Sequence, residues 1–418
     1  MLQTCAKPKV LLLAVAELVH QPRLLKAGRY WQEKGCEVVG FSPLVGLADV
    51  TVYQRFRTEC RWQLIERDLS KQSLSSRLRW LLVSARWRLR RLLVRRKWLK
   101  PGDDHLCKVF TGLSANALPR CDLIVVNLPE TLPFARRLAR RWGADIVFDS
   151  QEDFAGQYQH AEALTRKVIE DGVQWAMASA LVVCATTRAM ATQLSGDAAA
   201  VPRHKIQVVR NLPYDTGPEV EIQEHDGPLR LVWHGMVVAP KGRGVDVMIR
   251  GVARSKVPCV LTLQGRLSAE HQQAIRELAA SEGFDGLEFA GAAAPDQIIQ
   301  SLIGADIGLL GEQGLDRNNR LSSSNKLFDY IHAGLAVLAS DTPGIMETLE
   351  TYPIGLSYAM NEPDDLAQVL RRLDDDRKAL WAMRRESLQV RHSLVWPEDY
   401  DSVGQLVFAS KRHEDRES

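Results

Sequence analysis

Cysteine is sparse in this 418-residue chain and nowhere paired. The seven cysteines stand singly, are odd in number and show neither C-x-x-C nor Cys/His ligand spacing. This argues for reduced thiols and against a structural zinc. Long apolar runs are also missing. Residues 10–16 form the one apolar run near the start, and Glu17 ends it before it could serve as a signal core or cross a bilayer. The run reads as a buried first strand, and the expected compartment is the cytoplasm. The G-x-x-x-x-G-K-[ST] spacing of a Walker loop is absent, which weakens an NTPase reading. Finally, residues 77–100 contain no acid but ten Lys or Arg, so the formal charge of +3 is local and the rest of the chain is net acidic. A split of this kind points to a membrane surface or polyanion met at one place. It does not suit a chain that binds nucleic acid over its whole surface, and no nucleic-acid partner is expected.

With 45% hydrophobic and 25% charged residues, the chain is globular and long enough for two cores. Apolar runs alternate with helical patterns, the mark of parallel βαβ units. Strands are expected at residues 9–16, 37–41, 122–126, 145–148, 181–183 and 206–209. After an acidic stretch punctuated by Pro and Gly at 217–227, which reads as a linker, strands resume at 229–233, 260–263, 287–289, 307–310 and 336–340. The division predicted is a first domain at 1–216, a second at 228–394, and a final helix and tail at 395–418. Both domains read as α/β, doubly wound.

The most informative stretch is residues 321–344, L-S-S-S-N-K-L-F-D-Y-I-H-A-G-L-A-V-L-A-S-D-T-P-G. Three serines precede a helix closed by Gly334, then a buried strand and a Pro-Gly turn. A helix start of this kind leaves unpaired N–H groups and a partial positive charge, which together suit an anion. Asn325, Lys326 and Asp329 share one helix face, opposite Leu327, Phe328 and Ile331. A phosphate, its cation and a carboxylate able to accept hydroxyl hydrogen bonds therefore converge. The same pattern also fits an amphipathic helix and core strand of any α/β domain.

N-K-L-F-D-Y-I-H-A-G-L-A-V-L-A-S also resembles the donor-binding segment of nucleotide-sugar glycosyltransferases of the GT-B fold, family 4 type, usually N-K-[LF]-F-E-Y-[LM]-A-A-G-[LP]-P-V. The resemblance implies two Rossmann-like domains facing across a cleft, with the C-terminal helix crossing back to the first. It further implies transfer of a sugar from a nucleotide-diphosphate donor, with retention, to a lipid-linked or polysaccharide acceptor met by the first domain. No metal or other cofactor is implied, because the helix start and cations hold the phosphate. By position, Gly235, Lys241, Arg243, Ser324, Asn325 and Lys326 would hold the donor diphosphate. Asp329, Gln264 and Gly265 would meet the nucleoside.

In the first domain, D-S-Q-E-D-F at 149–154 resembles the family's D-[ST]-H-E-[LF], and Gln151, Glu152 and the loop residue His20 are the candidates for catalysis. Arg23, Asn127, Asp149 and Asn211 are the remaining cleft candidates. Four positions depart from the family pattern. Asn127 and Gln151 stand where relatives carry His, Met236 where Arg is usual, and Leu321 where the first of two paired Glu is usual, leaving Glu312, Asn318 or Asn319 to read the sugar. An amide can hydrogen-bond but cannot move a proton. Two rival readings follow: a non-catalytic nucleotide-sugar-binding partner protein, and a sugar-nucleotide 2-epimerase on the same fold. Asp374, Asp375 and Asp376 read as a solvated turn.

On a helical projection the basic segment carries two apolar stripes. Leu78, Leu81, Leu82, Ala85, Leu89, Leu92 and Leu93 form one, and Trp80, Val83, Trp87, Val94 and Trp98 the other, with arginines on both flanks. Leucine suits a core, and Trp flanked by Arg suits an anionic headgroup region, so the expectation is a Leu face docked on the domain and a Trp face on the inner surface of the plasma membrane. A basic helix packed wholly within the protein is the alternative.

Overall fold

A computed structural model of the protein describes residues 7–46, 50–102, 105–197 and 205–417. The outermost ends of the expected first and last segments, 1–6 and 418, lie outside the described residues. The chain forms two compact units. One comprises the chain up to Ala185, Ala191–Val209 and the stretch from Tyr400 onward; the other comprises Arg210–Asp399 with Thr186–Met190. The chain thus passes into the second unit ahead of the acidic 217–227 stretch, and Leu212 is buried among Phe328, Ile331 and Leu335 of the second core.

The first unit holds a seven-stranded parallel sheet: β1 (Lys9–Leu13), β2 (Glu37–Leu44), β3 (Gln63–Asp68), β4 (Leu123–Val126), β5 (Asp145–Ser150), β6 (Val182–Ala185) and β7 (Ile206–Val208). Their order is β3-β2-β1-β4-β5-β6-β7. Val10–Leu13 of β1 and all of β4 are buried, as covered parallel strands must be, which is why they read as unbroken Val, Ile and Leu. Between β1 and β4 the order reverses, and such a switch point opens a crevice at the carboxyl ends of the strands. The last helix, Trp396–Glu417, contributes its residues from Tyr400 onward to this unit. Tyr400 packs edge-on against Tyr30 and Trp31, Phe408 meets Trp31, and Lys411 pairs with Asp145 at 3.2 Å.

The second unit repeats the plan with six parallel strands: β8 (Leu229–Val237), β9 (Cys259–Arg266), β10 (Leu287–Ala290), β11 (Ile307–Leu310), β12 (Ala336–Ser340) and β13 (Gly355–Tyr358). Their order is β10-β9-β8-β11-β12-β13, so the switch point lies between β8 and β11. Asp306, just before β11, is fully buried and accepts from Arg230 at the start of β8 and from Arg384. Burial pushes the Asp306 carboxyl up, but the bonds from Arg230 and the Arg384 charge hold it below its ordinary value. That buried carboxylate locks together the two strands that deliver the site loops.

One element stands the other way round from the expectation. The basic segment is a helix, Leu74–Arg95, capped by Ser73 through a reciprocal bond with Ser76. Its docked side carries Ser76, Val83, Ser84 and Val94, with Trp80 and Trp87 half-buried among them. Lys71 lies 3.7 Å and Lys108 4.6 Å from the Trp80 ring centre, so the indole is clamped between two cations of the domain. The leucine stripe is the open one: Leu78, Leu81, Leu82, Leu89 and Leu92 are all exposed. Trp98, beyond the helix, is exposed too. Among the described residues no helix is long and apolar enough to cross a membrane.

Candidate functional site

In the second unit the motif residues meet at the carboxyl ends of β8, β9 and β11. The loops after β8 and β11 touch: Gly244, at φ +71°, lies so close to Gly311 that a Cβ would fall 2.0 Å from its carbonyl oxygen. Gly265 approaches the Gly235 carbonyl in the same way, at 2.3 Å from an added Cβ. These glycines set the backbone spacing around the crevice.

The helix Asn325–His332 points its N-terminus into this region. Ser324 occupies the N-cap without capping the helix by its side chain; its hydroxyl accepts from Lys326 Nζ at 2.9 Å. Ser323 Oγ is buried and has no hydrogen-bond partner among the described residues. Free N–H groups, a spare hydroxyl and an ammonium thus lie together, an arrangement suited to an oxyanion. Lys326 also sits 3.3 Å from Glu312, which accepts from Asn319 at 3.0 Å. Burial pushes the Glu312 carboxyl up, yet the Lys326 charge beside it holds it below its ordinary value. Lys241 and Arg243 are exposed on the glycine loop, as is Met236, while Asn325 is exposed at the helix start.

Asp329, one turn into the helix, is partly exposed and has a partner that the sequence reading missed. His234 Nε2, toward the carboxyl end of β8, lies 3.3 Å from Asp329 Oδ2, near it but short of hydrogen-bond geometry. The His234 ring packs edge-on against Tyr330, whose hydroxyl accepts from the His234 backbone N–H at 3.3 Å. The signal available was the W-H-G stretch of β8, where a polar side chain follows the apolar run L-V-W. Gln264 is buried and donates to Ser301 at 2.7 Å, so its amide faces that hydroxyl. Asn319 is held within its loop, accepting from the Gly314 N–H at 2.7 Å. Leu321 offers only its carbonyl, to Thr187 at 2.6 Å. Asp374 pairs with Arg377, and Asp376 caps the next helix at Ala379.

In the first unit, two of the cleft candidates pair with each other. Arg23 and Asp149 are buried and joined by two parallel bonds of 2.7 and 2.6 Å, and Arg23 also donates to the Val209 carbonyl at 3.0 Å. Burial lowers the Arg23 pKa, but the Asp149 charge outweighs it and holds the guanidinium above its ordinary value. Nearby, Asn127 is buried, donates to Gln21 at 3.3 Å, and keeps its Oδ1 without a partner among the described residues. Gln151 and Glu152 are half-buried in the loop after β5, and His20 is exposed on the turn after β1. Glu17 accepts from the backbone of Val45 and Gly46 at 2.7 and 2.8 Å, fastening the β1 and β2 loops. Asn211 is half-buried and belongs to the second unit.

Residues 20–211 match the family model described as a glycosyl transferase 4-like domain. No curated protein matches. Solved structures of similar fold include Alr3699/HepE of Anabaena in complex with UDP, at TM-score 0.64 and 13% identity, covering 96% of this chain and 100% of that one. Sucrose-phosphate synthase from Thermosynechococcus elongatus is similar at TM-score 0.64 and 12% identity, with 97% and 100% covered. A putative UDP-N-acetylglucosamine 2-epimerase from Listeria monocytogenes follows at TM-score 0.55 and 13% identity, with 98% of each covered. Since transferases and an epimerase share the architecture, fold alone does not separate the two chemistries. The family match bears on this for residues 20–211 alone, which resemble a glycosyl transferase 4-like domain, while the chain as a whole has the two-sheet GT-B architecture.

Proposed function

We propose that the protein transfers a sugar, with retention, from a nucleoside-diphosphate sugar held by the second unit to a lipid-linked or polysaccharide acceptor met by the first. The observation that carries the donor half is the uncapped start of the Asn325–His332 helix, with Lys326 Nζ on the N-cap hydroxyl and a buried spare hydroxyl beside it. An ammonium and free N–H groups neutralise a diphosphate without a metal ion. Lys241 and Arg243 reach it from the glycine loop, and Asp329, beside His234, accepts the ribose hydroxyls. The lipid-linked acceptor is supported by the open leucine stripe and flanking arginines of the Leu74–Arg95 helix, which suit the anionic cytoplasmic face of a membrane. A panel of nucleotide-sugars tested for thermal stabilisation, then for transfer, checks the whole reading, because a ligand that binds only the folded state must raise its stability. Stabilisation by a nucleotide-sugar without any turnover would favour the non-catalytic reading.

Two substitutions divide the donor site. Lys326→Ala is expected to weaken UDP or GDP binding by about 1.5 to 3 kcal/mol, the range for a hydrogen bond to a charged group. Calorimetry that finds the affinity unchanged rejects the clamp. Asp329→Asn keeps the shape but removes the charge, and is expected to weaken UDP more than its 2′-deoxy analogue. Equal losses for both nucleotides would mean that Asp329 does not read the hydroxyl.

A further inference from the structure

The helix Leu132–Trp142 buries Leu132, Phe134, Ala135, Leu138 and Trp142 and turns Arg136, Arg137, Arg140 and Arg141 the other way. Those arginines, with Lys100, line a groove of about 1010 Å3 against the Ala163–Ser179 helix. Every lining residue belongs to the first unit. Arg136 with Arg140, and Arg137 with Arg141, are like charges one turn apart, a spacing that costs a helix stability rather than adding to it. Among the described residues the groove has one lining carboxylate, Asp171, and it accepts from Lys167 at 3.1 Å.

Arg136 and Arg141 are each in contact with a neutral group. Arg137 donates to the Leu113 carbonyl at 2.7 Å and Arg141 to Asn116 Oδ1 at 2.6 Å. Arg136 lies 5.3 Å from the centre of the Trp175 ring, and its buried Nε has no hydrogen-bond partner among the described residues. Arg140 and Lys100 are exposed. Leu132, Val168 and Trp175 give the groove apolar walls.

We infer that this groove is a second anion site, separate from the donor clamp, which binds a phosphate-bearing ligand through Arg136, Arg140 and Lys100 with Trp175 as its apolar wall. Guanidinium forks match phosphate oxygens in pairs, and an anion is the group that relieves the crowding of like charge. The occupant is either the headgroup of an anionic lipid or a soluble phosphate anion, and both offer the same chemistry.

The test uses the full-length protein and inorganic pyrophosphate, titrated by calorimetry at low salt with UDP present to occupy the donor clamp. Wild-type protein is expected to bind pyrophosphate under these conditions, with affinity falling as salt rises. Arg140→Gln combined with Lys100→Gln should weaken that binding at least tenfold and leave UDP binding unchanged. Both side chains are exposed, so the melting temperature should hold; Arg136→Gln is the second variant, aimed at the stacked guanidinium. Vesicles of phosphatidylglycerol separate the two sources. Displacement of the protein from them by pyrophosphate assigns a lipid headgroup, and retention on the vesicles while pyrophosphate is bound assigns a soluble anion. Pyrophosphate binding that is absent in the wild type, or equal in wild type and variants, overturns the site whatever becomes of the donor reading.

Discussion

Replacing Asp149 with alanine is expected to cost the first unit about 3 to 5 kcal/mol, the range for breaking a buried ion pair by removing one partner. Arg23 is 1% exposed and Asp149 2% exposed, so neither can exchange its partner for water without opening the unit. The guanidinium left behind would keep its bond to the Val209 carbonyl but lose the carboxylate that balances its charge beside Tyr400 and Cys184. Exchanging both partners at once, Arg23→Met with Asp149→Leu, is expected to recover most of the loss, because well-packed apolar replacements of buried pairs are often neutral or stabilising. Urea unfolding followed by hydrogen exchange at β1 and β5 reads both variants. A loss under about 1 kcal/mol for Asp149→Ala would mean that the pair is hydrated and open to a ligand, as surface pairs are.

That pair also marks where sequence reading ends. Strands such as L-I-V-V and A-V-L-A-S declare themselves because a covered parallel strand must be apolar on both faces, and these are buried throughout. β3, Q-L-I-E-R-D, has no buried residue and carries no such run, so its sequence does not mark it as a strand. The residues of the N-K-L-F-D-Y helix were legible as a group, since one turn of helix brings them together whatever surrounds it. Contacts between distant segments were not. Arg23 and Asp149 are 126 positions apart, and His234 and Asp329 meet across β8 and the helix that follows β11. In each case the side chain looked free until a partner from another loop was supplied.

The basic helix departs from its expected orientation for a different reason. Periodicity establishes that two apolar stripes exist but assigns neither to the core when both are apolar. Here Val83, Val94 and the half-buried indoles of Trp80 and Trp87 face the domain, which leaves the leucines outside. Glu162, the residue before the Ala163–Ser179 helix, accepts from Arg95 at 2.9 Å and pairs with Arg91 at 3.5 Å, further fixing that face. The Arg95 bond, eased by both charges against the small cost of desolvation, holds the Glu162 carboxyl below its ordinary value.

Changing Leu78, Leu82 and Leu89 to serine is therefore expected to release the protein from vesicles of phosphatidylglycerol, lowering its partition by on the order of 100-fold. Each leucine is more than half exposed, and full burial of such a side chain is worth about 1.5 to 3 kcal/mol. Sinking into a headgroup region recovers only part of that, roughly 1 kcal/mol each, and about 3 kcal/mol in all is two powers of ten. The flanking arginines add about 1 kcal/mol for each that nears an anionic surface, so binding should also fall as salt rises. Trp80→Ser and Trp87→Ser should do the opposite kind of damage. They remove packing and cation–π contacts on the docked side, and so should lower the melting temperature more than the partition. The two sets of variants thus exchange effects if the helix lies the other way round. A wild-type protein that ignores anionic vesicles at low salt, or a triple serine variant that binds them undiminished, would remove the membrane as the partner of this face and leave a lipid-linked acceptor without its structural support.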